Sequence, residues 1–410
     1  MEKLYDETKE FDAALSEAGK YVIFGASEKA GKYIETSAER KPDYIVDNGW
    51  QRLGEFCGLP VYSPEKLKEL DERDVILVGS RSFLSIAHQI EKNGYKGKVY
   101  SLHLLCRQRE YEKIINEDDC ISEFYDQRTG ADNLLMIVAG FQEYYWETVL
   151  ERVREDQRLF TEALDVCVCV PKGNDRIDGL REICKKNKWS FLHITDNQLA
   201  KAQNIVLFLH DKAQWIYKID EDIILPRDYF TRMKRGYAEA GPRLRHRVGF
   251  LAPVLNINFC GTEVFLKSLD LEEKCAAELG DFIYGSDGSF LSPAMGVWIW
   301  EKCTPFDMVA KEFERINEGK FACCTTRFSV GAFLMLREFW EDMGGFEVAP
   351  EGVLGREEEQ MNERCINKVC VMAMDCSILA GHLGFGWQKD AVHQFYDDNR
   401  EAFKISWEND

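Results

Sequence analysis

The stretch "NLLMIVAG" (133–140) decides how the larger part of this chain folds. It is a short apolar run that ends in a glycine, and it opens a series of similar runs. Those that follow are "LDVCVCVP" (164–171), "SFLHIT" (190–195) and "WIYKID" (215–220), each separated from the next by a helical segment. Short apolar strands that alternate with helices predict a parallel sheet covered on both faces.

Composition excludes several functional classes. The chain has 410 residues and a formal net charge of −19, which argues against a nucleic-acid binder, since such proteins carry basic surfaces. No apolar run approaches about 20 residues, so neither a membrane span nor a signal peptide is expected. Fourteen cysteines, mostly inside apolar strands, indicate reduced thiols. We therefore expect a cytoplasmic protein, with a peripheral position at the inner membrane face left open.

The first 115 residues show the same alternation of strands and helices. Predicted strands are "YVIFG" (21–25), "DYIVD" (43–47), "DVILVGS" (74–80) and "KVYSL" (98–102). We expect a small parallel sheet of about four strands. A charged segment, 116–131, follows and reads as a linker because it becomes turn-rich. Residues 132–410 then form the second predicted domain.

A partial dinucleotide fingerprint follows the first predicted strand. In "VIFGASEKAGK" (22–32), Gly25 occupies the first glycine position, whereas Ser27 and Ala30 replace the second and third. The second glycine lets the backbone approach a pyrophosphate, so its loss weakens the nucleotide interpretation. Asp47 ends the next strand, where a ribose-binding acid would lie.

With "GLPVYSPEKL" (58–67), this order resembles the small Rossmann-like domains found beside sugar acyltransferases and other polysaccharide-assembly enzymes. The resemblance implies a structural or assembly role, binding of a nucleotide or sugar nucleotide, or a redox role. A domain of this kind could also act as a dimerisation element, so a homodimer is one expected state.

The acidic triplet Asp220-Glu221-Asp222 ends the strand 215–220. In open α/β sheets, ligands gather at the carboxyl ends of strands. Adjacent carboxylates repel one another, and a divalent cation with diphosphate oxygens relieves that repulsion. The alternative is a solvated acidic turn.

Five segments in order make the case more specific: 133–146, 196–225, 331–347, 355–365 and 377–388. Together they resemble GT-A fold glycosyltransferases, and in particular the large inverting family two. The resemblance implies an α/β fold, in which a small Rossmann-like parallel-sheet domain precedes a nucleotide-diphospho-sugar transferase domain.

The resemblance also assigns a metal site for Mn²⁺ or Mg²⁺. Asp222 would be the direct ligand, Asp220 would touch the metal or the ribose, and His382 would be the third protein ligand. Glu221 would point away, because adjacent strand residues face opposite sides. An imidazole ligand favours Mn²⁺ over Mg²⁺.

The general base of the resembled family falls within "GREEEQMNERC" (355–365). Glu358 is the first choice, and Glu357 is the other member of the acidic pair. Three consecutive glutamates leave the register open, so Glu357 or Glu359 could replace it. The alternative is an exposed acidic helix start, which the helix dipole favours.

Donor contacts are implied at the ends of two strands and on one helix. Phe141 and Gln142 end the first strand, where uracil could stack or pair, and Lys172 and Asp175 follow "CVCVP". By the same resemblance, two further residues on one helical face would contact the base, ribose or phosphates: Lys201 and Asn204.

The sequence thus predicts a metal-dependent glycosyltransferase of the hexosyltransferase type, acting in polysaccharide biosynthesis. It would move a sugar from a nucleoside diphosphate donor, with a UDP-sugar favoured, to a hydroxyl of a glycan or lipid-linked glycan. Two alternatives are a nucleotidyltransferase of sugar metabolism and an inactive scaffold that binds nucleotide sugars.

Overall fold

The structure is a computed structural model, and it divides into two compact units. One unit comprises residues 1–118 with 340–345, and the other comprises 119–339 with 346–410. The residues that the structure describes are 8–36, 40–80, 82–117, 120–172, 177–284, 292–324, 331–350, 355–368, 370–384 and 386–407.

The first unit is built on a six-stranded sheet. All neighbouring strands are parallel except β3, which is antiparallel to β4, and the order is β3-β4-β2-β1-β5-β6. The strands are β1 (Tyr21–Phe24), β2 (Tyr44–Val46), β3 (Glu55–Phe56), β4 (Leu59–Tyr62), β5 (Val75–Val78) and β6 (Lys98–Ser101). The helices are α1 (Thr8–Glu17), α2 (Glu28–Thr36), α3 (Trp50–Leu53), α4 (Phe83–Lys92) and α5 (Leu102–Glu117), with a 3₁₀ turn at Pro64–Glu69.

Both faces of this sheet are covered. Tyr21 and Ile23 of β1 belong to one apolar cluster, while Val22 and Phe24 belong to the other. This alternation across a four-residue buried strand is what the continuous apolar runs predict. The expected number of about four strands was too low, because β4 adds a parallel strand and β3 pairs with it.

The second unit is built on a larger mixed sheet. Its strands are β7 (Ile121–Tyr125), β8 (Asn133–Val138), β9 (Leu164–Pro171), β10 (Ser190–Ile194), β11 (Trp215–Asp220), β12 (Ile223–Ile224), β13 (Arg247–Leu255), β14 (Phe321–Cys324), β15 (Ala332–Leu336) and β16 (Cys370–His382). Their order is β12-β16-β13-β15-β11-β8-β9-β10-β7, and β14 pairs with β16.

Helices fill the connections between these strands. They are α6 (Trp146–Leu159), α7 (Ile177–Asn187), α8 (Leu199–Leu209), α9 (Tyr229–Leu244), α10 (Phe259–Ser268), α11 (Glu272–Leu279), α12 (Pro293–Lys302), α13 (Phe306–Asn317), α15 (Arg356–Asn367) and α16 (Lys389–Asp398), with 3₁₀ turns at Glu143–Tyr145, Gly386–Gln388 and Arg400–Phe403. The helix α14 (Arg337–Met343) begins in this unit, and its residues from Trp340 onward belong to the first unit. Helices long and apolar enough to span a bilayer are absent from the described part of the chain.

Four parallel strands, β10-β9-β8-β11, form the centre of the larger sheet. The chain runs outward from β8 through β9 to β10 and then returns to the other side of β8 as β11. The strand order therefore reverses between β8 and β11, and this is where open α/β sheets bind ligands. The α/β class with parallel sheets, predicted from the sequence, is confirmed.

Two segments differ from their expected structure. Residues 121–125, inside the expected linker, form β7, which pairs antiparallel with β10. The aromatic run "GVWIWE" (296–301), whose aromatic and β-branched residues favour a strand, lies in the helix α12. Ser292 caps that helix by accepting a hydrogen bond from Met295 N at 3.2 Å, and Pro293 occupies its first turn. Both are helix-start signals, and they outweigh the β-propensity of the aromatic residues.

Candidate functional site

The candidate site lies where the strand order reverses in the larger sheet. The acidic triplet begins at the end of β11 and faces the loop that follows β8, because Asp220 pairs with Val138 in the parallel register. A cavity of about 290 Å³ opens here. Its lining residues are Val138, Phe141, Gln142, Pro171, Asn197, Leu199, Asp220, Glu221, Asp222 and His382.

Glu221 anchors the loop after β8. Its carboxylate accepts hydrogen bonds from three consecutive backbone N–H groups, those of Gly140 (2.9 Å), Phe141 (2.8 Å) and Gln142 (2.9 Å). The indole N–H of Trp146 is a fourth donor. Burial raises the pKa of Glu221 to about 7, although these donors favour the ionised form. Three of the four donors belong to the loop after β8, so Glu221 fixes the position of Phe141 and Gln142.

Asp222 has one bonded oxygen and one bare oxygen. Its Oδ2 accepts a hydrogen bond from Gln142 Nε2 at 2.8 Å and lies 3.5 Å from His382 Nε2. Its Oδ1 is buried and has no hydrogen-bond partner. A buried carboxylate oxygen without a partner is costly unless a ligand completes it. Burial alone would raise the pKa of Asp222, but the charge and hydrogen bond of His382, helped by Gln142, lower it overall.

The ring of His382 is held in one orientation. Its Nδ1 lies 2.8 Å from the carbonyl oxygen of Ile257, which can only accept, so Nδ1 carries a proton. Asn256 Oδ1 in turn accepts from the backbone N–H groups of His382 (2.8 Å) and Ile257 (2.9 Å). Nε2 therefore faces Asp222: the protonated ring can donate from it to the carboxylate, and the neutral ring can bind a cation through it. Fixing a ring through its other nitrogen is typical of metal-binding histidines.

These residues fit a divalent cation for which the protein would supply only part of the ligand shell. Among the described residues no group of three or more His, Cys, Asp or Glu side chains is arranged to hold a metal alone. Asp222 and His382 offer two ligands at one point, and Asp220 lines the same cavity. A cation such as Mn²⁺ or Mg²⁺ commonly completes its shell with water and the oxygens of a bound diphosphate.

Lys218 is a buried lysine inside β11 that the sequence analysis did not single out. Its Nζ lies 2.7 Å from Asp220 Oδ1. Burial disfavours the ammonium, but the negative charges of Asp220, Glu358 and Glu357 outweigh it and raise the pKa of Lys218. Burial raises the pKa of Asp220 to about 6, while Lys218 acts in the opposite direction. A charged lysine therefore lies within electrostatic reach of both the triplet and the predicted base.

The glutamates of the predicted base motif occupy the first turn of α15. Glu357 is buried, and burial raises the pKa of its carboxyl group. Glu358 is partly exposed. Glu359 lies 3.3 Å from Arg356 in a partly exposed ion pair. Glu357 and Glu358 are thus the two members of the run that act on Lys218.

Three predicted donor contacts are not among the cavity residues. Asn204 is fully buried, and its amide bonds both the carbonyl (2.8 Å) and the N–H (2.9 Å) of Phe346. The amide that was predicted to contact a donor thus joins α8 to the chain before α15. Lys201 pairs with Asp196 at 2.5 Å, and Lys172 is exposed beyond the end of β9.

Other residues of these same segments do line the cavity, namely Pro171, Asn197 and Leu199. The remaining predicted contact, Asp175, lies outside the described residues.

The fingerprint residues of the first unit hydrogen-bond to that unit's own backbone. Asp47 accepts from Ala26 N at 2.9 Å and from Gly49 N at 2.6 Å. Ser27 Oγ donates to the carbonyl of Gly79 and accepts from Ala30 N. The acid expected at a ribose is thus already engaged by backbone groups.

Sequence reasoning missed several supporting residues of the site. Glu221 and Asn256 act through contacts with segments distant in the chain, so their neighbours in sequence do not reveal these roles. A signal did exist for Lys218, because a lysine inside an otherwise apolar strand calls for a buried anionic partner.

No protein-family model matches the chain. No curated protein matches it significantly either. Among solved structures, GalNAc-T7 with UDP, GalNAc and Mn²⁺ is similar at 14% identity and a TM-score of 0.39, covering 68% of this chain and 52% of that one. The mannosyltransferase PcManGT from Pyrobaculum calidifontis, in complex with GDP-Man and Mn²⁺, is similar at 12% identity and a TM-score of 0.35, covering 74% and 68%. The chain spans about half the length of GalNAc-T7. Both TM-scores lie below 0.5, so neither likeness assigns a residue or an activity to this chain.

Proposed function

We propose that this chain is a metal-dependent glycosyltransferase of the GT-A type. It would transfer a sugar from a nucleoside diphosphate donor to a hydroxyl group of a glycan or lipid-linked glycan. The observation that carries the proposal is the bare, buried Oδ1 of Asp222, next to the oriented His382 at the strand-order reversal. A carboxylate and an imidazole that meet at a cavity are suited to a cation that also binds phosphate oxygens.

The residues of the cavity divide the work of binding the donor. Asp222 and His382 would hold the cation, with Asp220 on the metal or the ribose. When bound, the cation would neutralise the charge that develops on the leaving diphosphate. Phe141 has half of its surface exposed at the cavity, and its ring would stack on the nucleobase, for which we favour uracil. Glu221 keeps that ring in place by binding the loop's backbone.

The acceptor hydroxyl requires a base on the side of α15. Glu358, with Glu357 as the second candidate, would take the proton as the new glycosidic bond forms. A base positioned to activate the acceptor implies direct displacement and inversion at the anomeric carbon. Lys218 would keep Asp220 ionised and limit the repulsion between β11 and these glutamates, since opposite charge favours the ionised form.

A screen of sugar nucleotides tests the proposal. Thermal unfolding of the protein would be followed with UDP- and GDP-sugars, each with Mn²⁺ and with EDTA. A true donor raises the unfolding temperature only with Mn²⁺, because a ligand that binds the folded state stabilises it by mass action. Release of nucleoside diphosphate from that donor then distinguishes an enzyme from an inactive scaffold. Formation of a sugar nucleotide with release of pyrophosphate would instead identify a nucleotidyltransferase.

A further inference from the structure

An aromatic stack lies next to the candidate metal site and connects to it through one hydrogen-bonded side chain. Tyr144, in the 3₁₀ turn after β8, lies flat on His393 of α16, with ring centroids 3.7 Å apart and planes at 18°. The Tyr144 hydroxyl donates to Gln142 Oε1 at 3.2 Å. Gln142 Nε2 donates to Asp222 Oδ2 at 2.8 Å. A continuous line of contacts therefore runs from α16 to the aspartate.

The chemistry of the partners fixes the direction of these bonds. A carboxylate only accepts, so the Gln142 amide must present its NH₂ to Asp222 and its carbonyl oxygen to Tyr144. Burial, together with the charges of Asp222 and Glu221, raises the pKa of Tyr144 to about 12, so its hydroxyl remains a donor at neutral pH. Without that donor the amide could rotate, and its carbonyl oxygen would then face the carboxylate.

Further contacts fix His393, at the α16 end of this line of contacts. His393 Nε2 lies 3.2 Å from Asp397 one turn further along α16. Tyr145 packs edge-on against His393 (5.8 Å) and Tyr396 (5.0 Å). The Tyr396 hydroxyl in turn pairs with Thr148 at 2.6 Å. Tyr144 therefore rests on a packed cluster rather than on a side chain free to swing.

We propose that Tyr144 and His393 are positioning residues that hold Gln142 so that Oδ2 of Asp222 is occupied and Oδ1 is turned to the cation. The proposal rests on the proposed function, since it requires Asp222 to be a metal ligand. It assigns α16, which follows the loop after His382, a role in metal affinity. Outer partners that orient a metal ligand commonly alter metal affinity when they are changed.

The test is a titration of the metal-free protein with Mn²⁺ alone, with free Mn²⁺ measured by electron paramagnetic resonance. Tyr144→Phe keeps the ring on His393 and removes only the hydroxyl. It should weaken Mn²⁺ binding about threefold to tenfold, which is the net worth of one hydrogen bond. The unfolding temperature of the metal-free protein should remain at the wild-type value, which a merely structural role would not predict.

Tyr396→Phe is the matched control, because it removes a hydroxyl from the same cluster that has no bond toward Asp222. It should leave the Mn²⁺ dissociation constant within about twofold of wild type. His393→Phe retains a stacking ring and should behave like wild type, whereas His393→Ala should resemble Tyr144→Phe.

The outcomes separate this inference from the function on which it rests. If wild type binds no Mn²⁺, either alone or with saturating UDP, both the proposed function and the positioning role of Tyr144 are overturned. If wild type binds Mn²⁺ and Tyr144→Phe binds it equally well, only the positioning role of Tyr144 is overturned. Equal weakening by Tyr144→Phe and Tyr396→Phe would also overturn it, because the effect would then come from general packing of the cluster.

Discussion

His382 Nε2 lies 3.5 Å from Asp222 Oδ2, although the two residues belong to strands far apart in the chain. The short strand β12 brings them together, because Ile223, next to Asp222, pairs antiparallel with His382 at the end of β16. The backbone N–H of Leu383 then bonds to the carbonyl of Asp222 at 3.0 Å. This pairing brings a carboxylate and an imidazole to one point.

Binding of Mn²⁺ should depend on pH through His382. Burial would lower the pKa of His382, but the charge of Asp222 outweighs it and raises that pKa above its ordinary value of 6.5. A cation and a proton compete for Nε2, so affinity should be constant above the raised pKa. Below it, affinity should fall by up to about tenfold per pH unit. Asp222 remains ionised throughout this range, because its pKa is lowered.

A titration with Mn²⁺ between pH 6 and pH 9 measures this dependence. His382→Gln serves as the comparison, since it retains a polar side chain that does not titrate. Its binding should be weaker at high pH and nearly flat down to about pH 7, below which protonation of Asp220, with a pKa of about 6, adds its own decline. The same slope in wild type and variant would exclude His382 as the titrating ligand.

The base can be assigned by two single substitutions. Glu358→Gln should reduce the turnover number by about a hundredfold or more while the donor dissociation constant changes little, because a general base contributes about 10²–10⁴-fold. Glu357→Gln is the matched variant one position away. Turnover measured for each with a fixed donor decides the register, and the larger loss identifies the base. Full activity in both variants would remove α15 from the mechanism.

Asn204 is expected to contribute to stability and not to donor binding. Asn204→Ala leaves the N–H and the carbonyl of Phe346 without their partner, which should lower the free energy of unfolding by about 2 kcal/mol. Lys201→Ala on the same helix breaks a pair with the partly exposed Asp196 and should cost less than about 1 kcal/mol. Urea denaturation measures both. A weakened UDP affinity in folded Asn204→Ala, with unchanged stability, would reverse this assignment.

Phe141 should contribute to nucleotide affinity and little to stability. Half of its surface is exposed, so Phe141→Ala removes a ring that the core does not need. Loss of stacking on the base should raise the UDP dissociation constant about threefold to tenfold in the presence of Mn²⁺. Trp50→Ala, which removes a similarly exposed ring in the first unit, is the control for calorimetry. Unchanged UDP affinity in Phe141→Ala would place the base elsewhere.

Local patterns were enough to predict the α/β class and most strands of both sheets, because buried parallel strands are continuous apolar runs. They also located the loop at Phe141, the triplet and His382, all of which line one cavity. The sequence does not show roles that depend on contacts between segments distant in the chain. Asn204 lies on the helical face predicted for donor binding, and its bonds to Phe346 are visible only in the structure. Glu221 shares the acidity of its neighbours, and only the fold directs its carboxylate to the loop after β8.

The proposed function requires that Asp222 hold a cation that binds a nucleoside diphosphate. Calorimetric titration with UDP, in Mn²⁺ and in EDTA, of wild type and of Asp222→Asn examines this requirement. Asp132→Asn, at an exposed residue before β8, makes the same charge change as a control. We expect Mn²⁺-dependent UDP binding in wild type and in Asp132→Asn, and a loss of about tenfold or more in Asp222→Asn. UDP binding that is equally strong in EDTA, or that is unchanged in Asp222→Asn, would show that Asp222 holds no such cation.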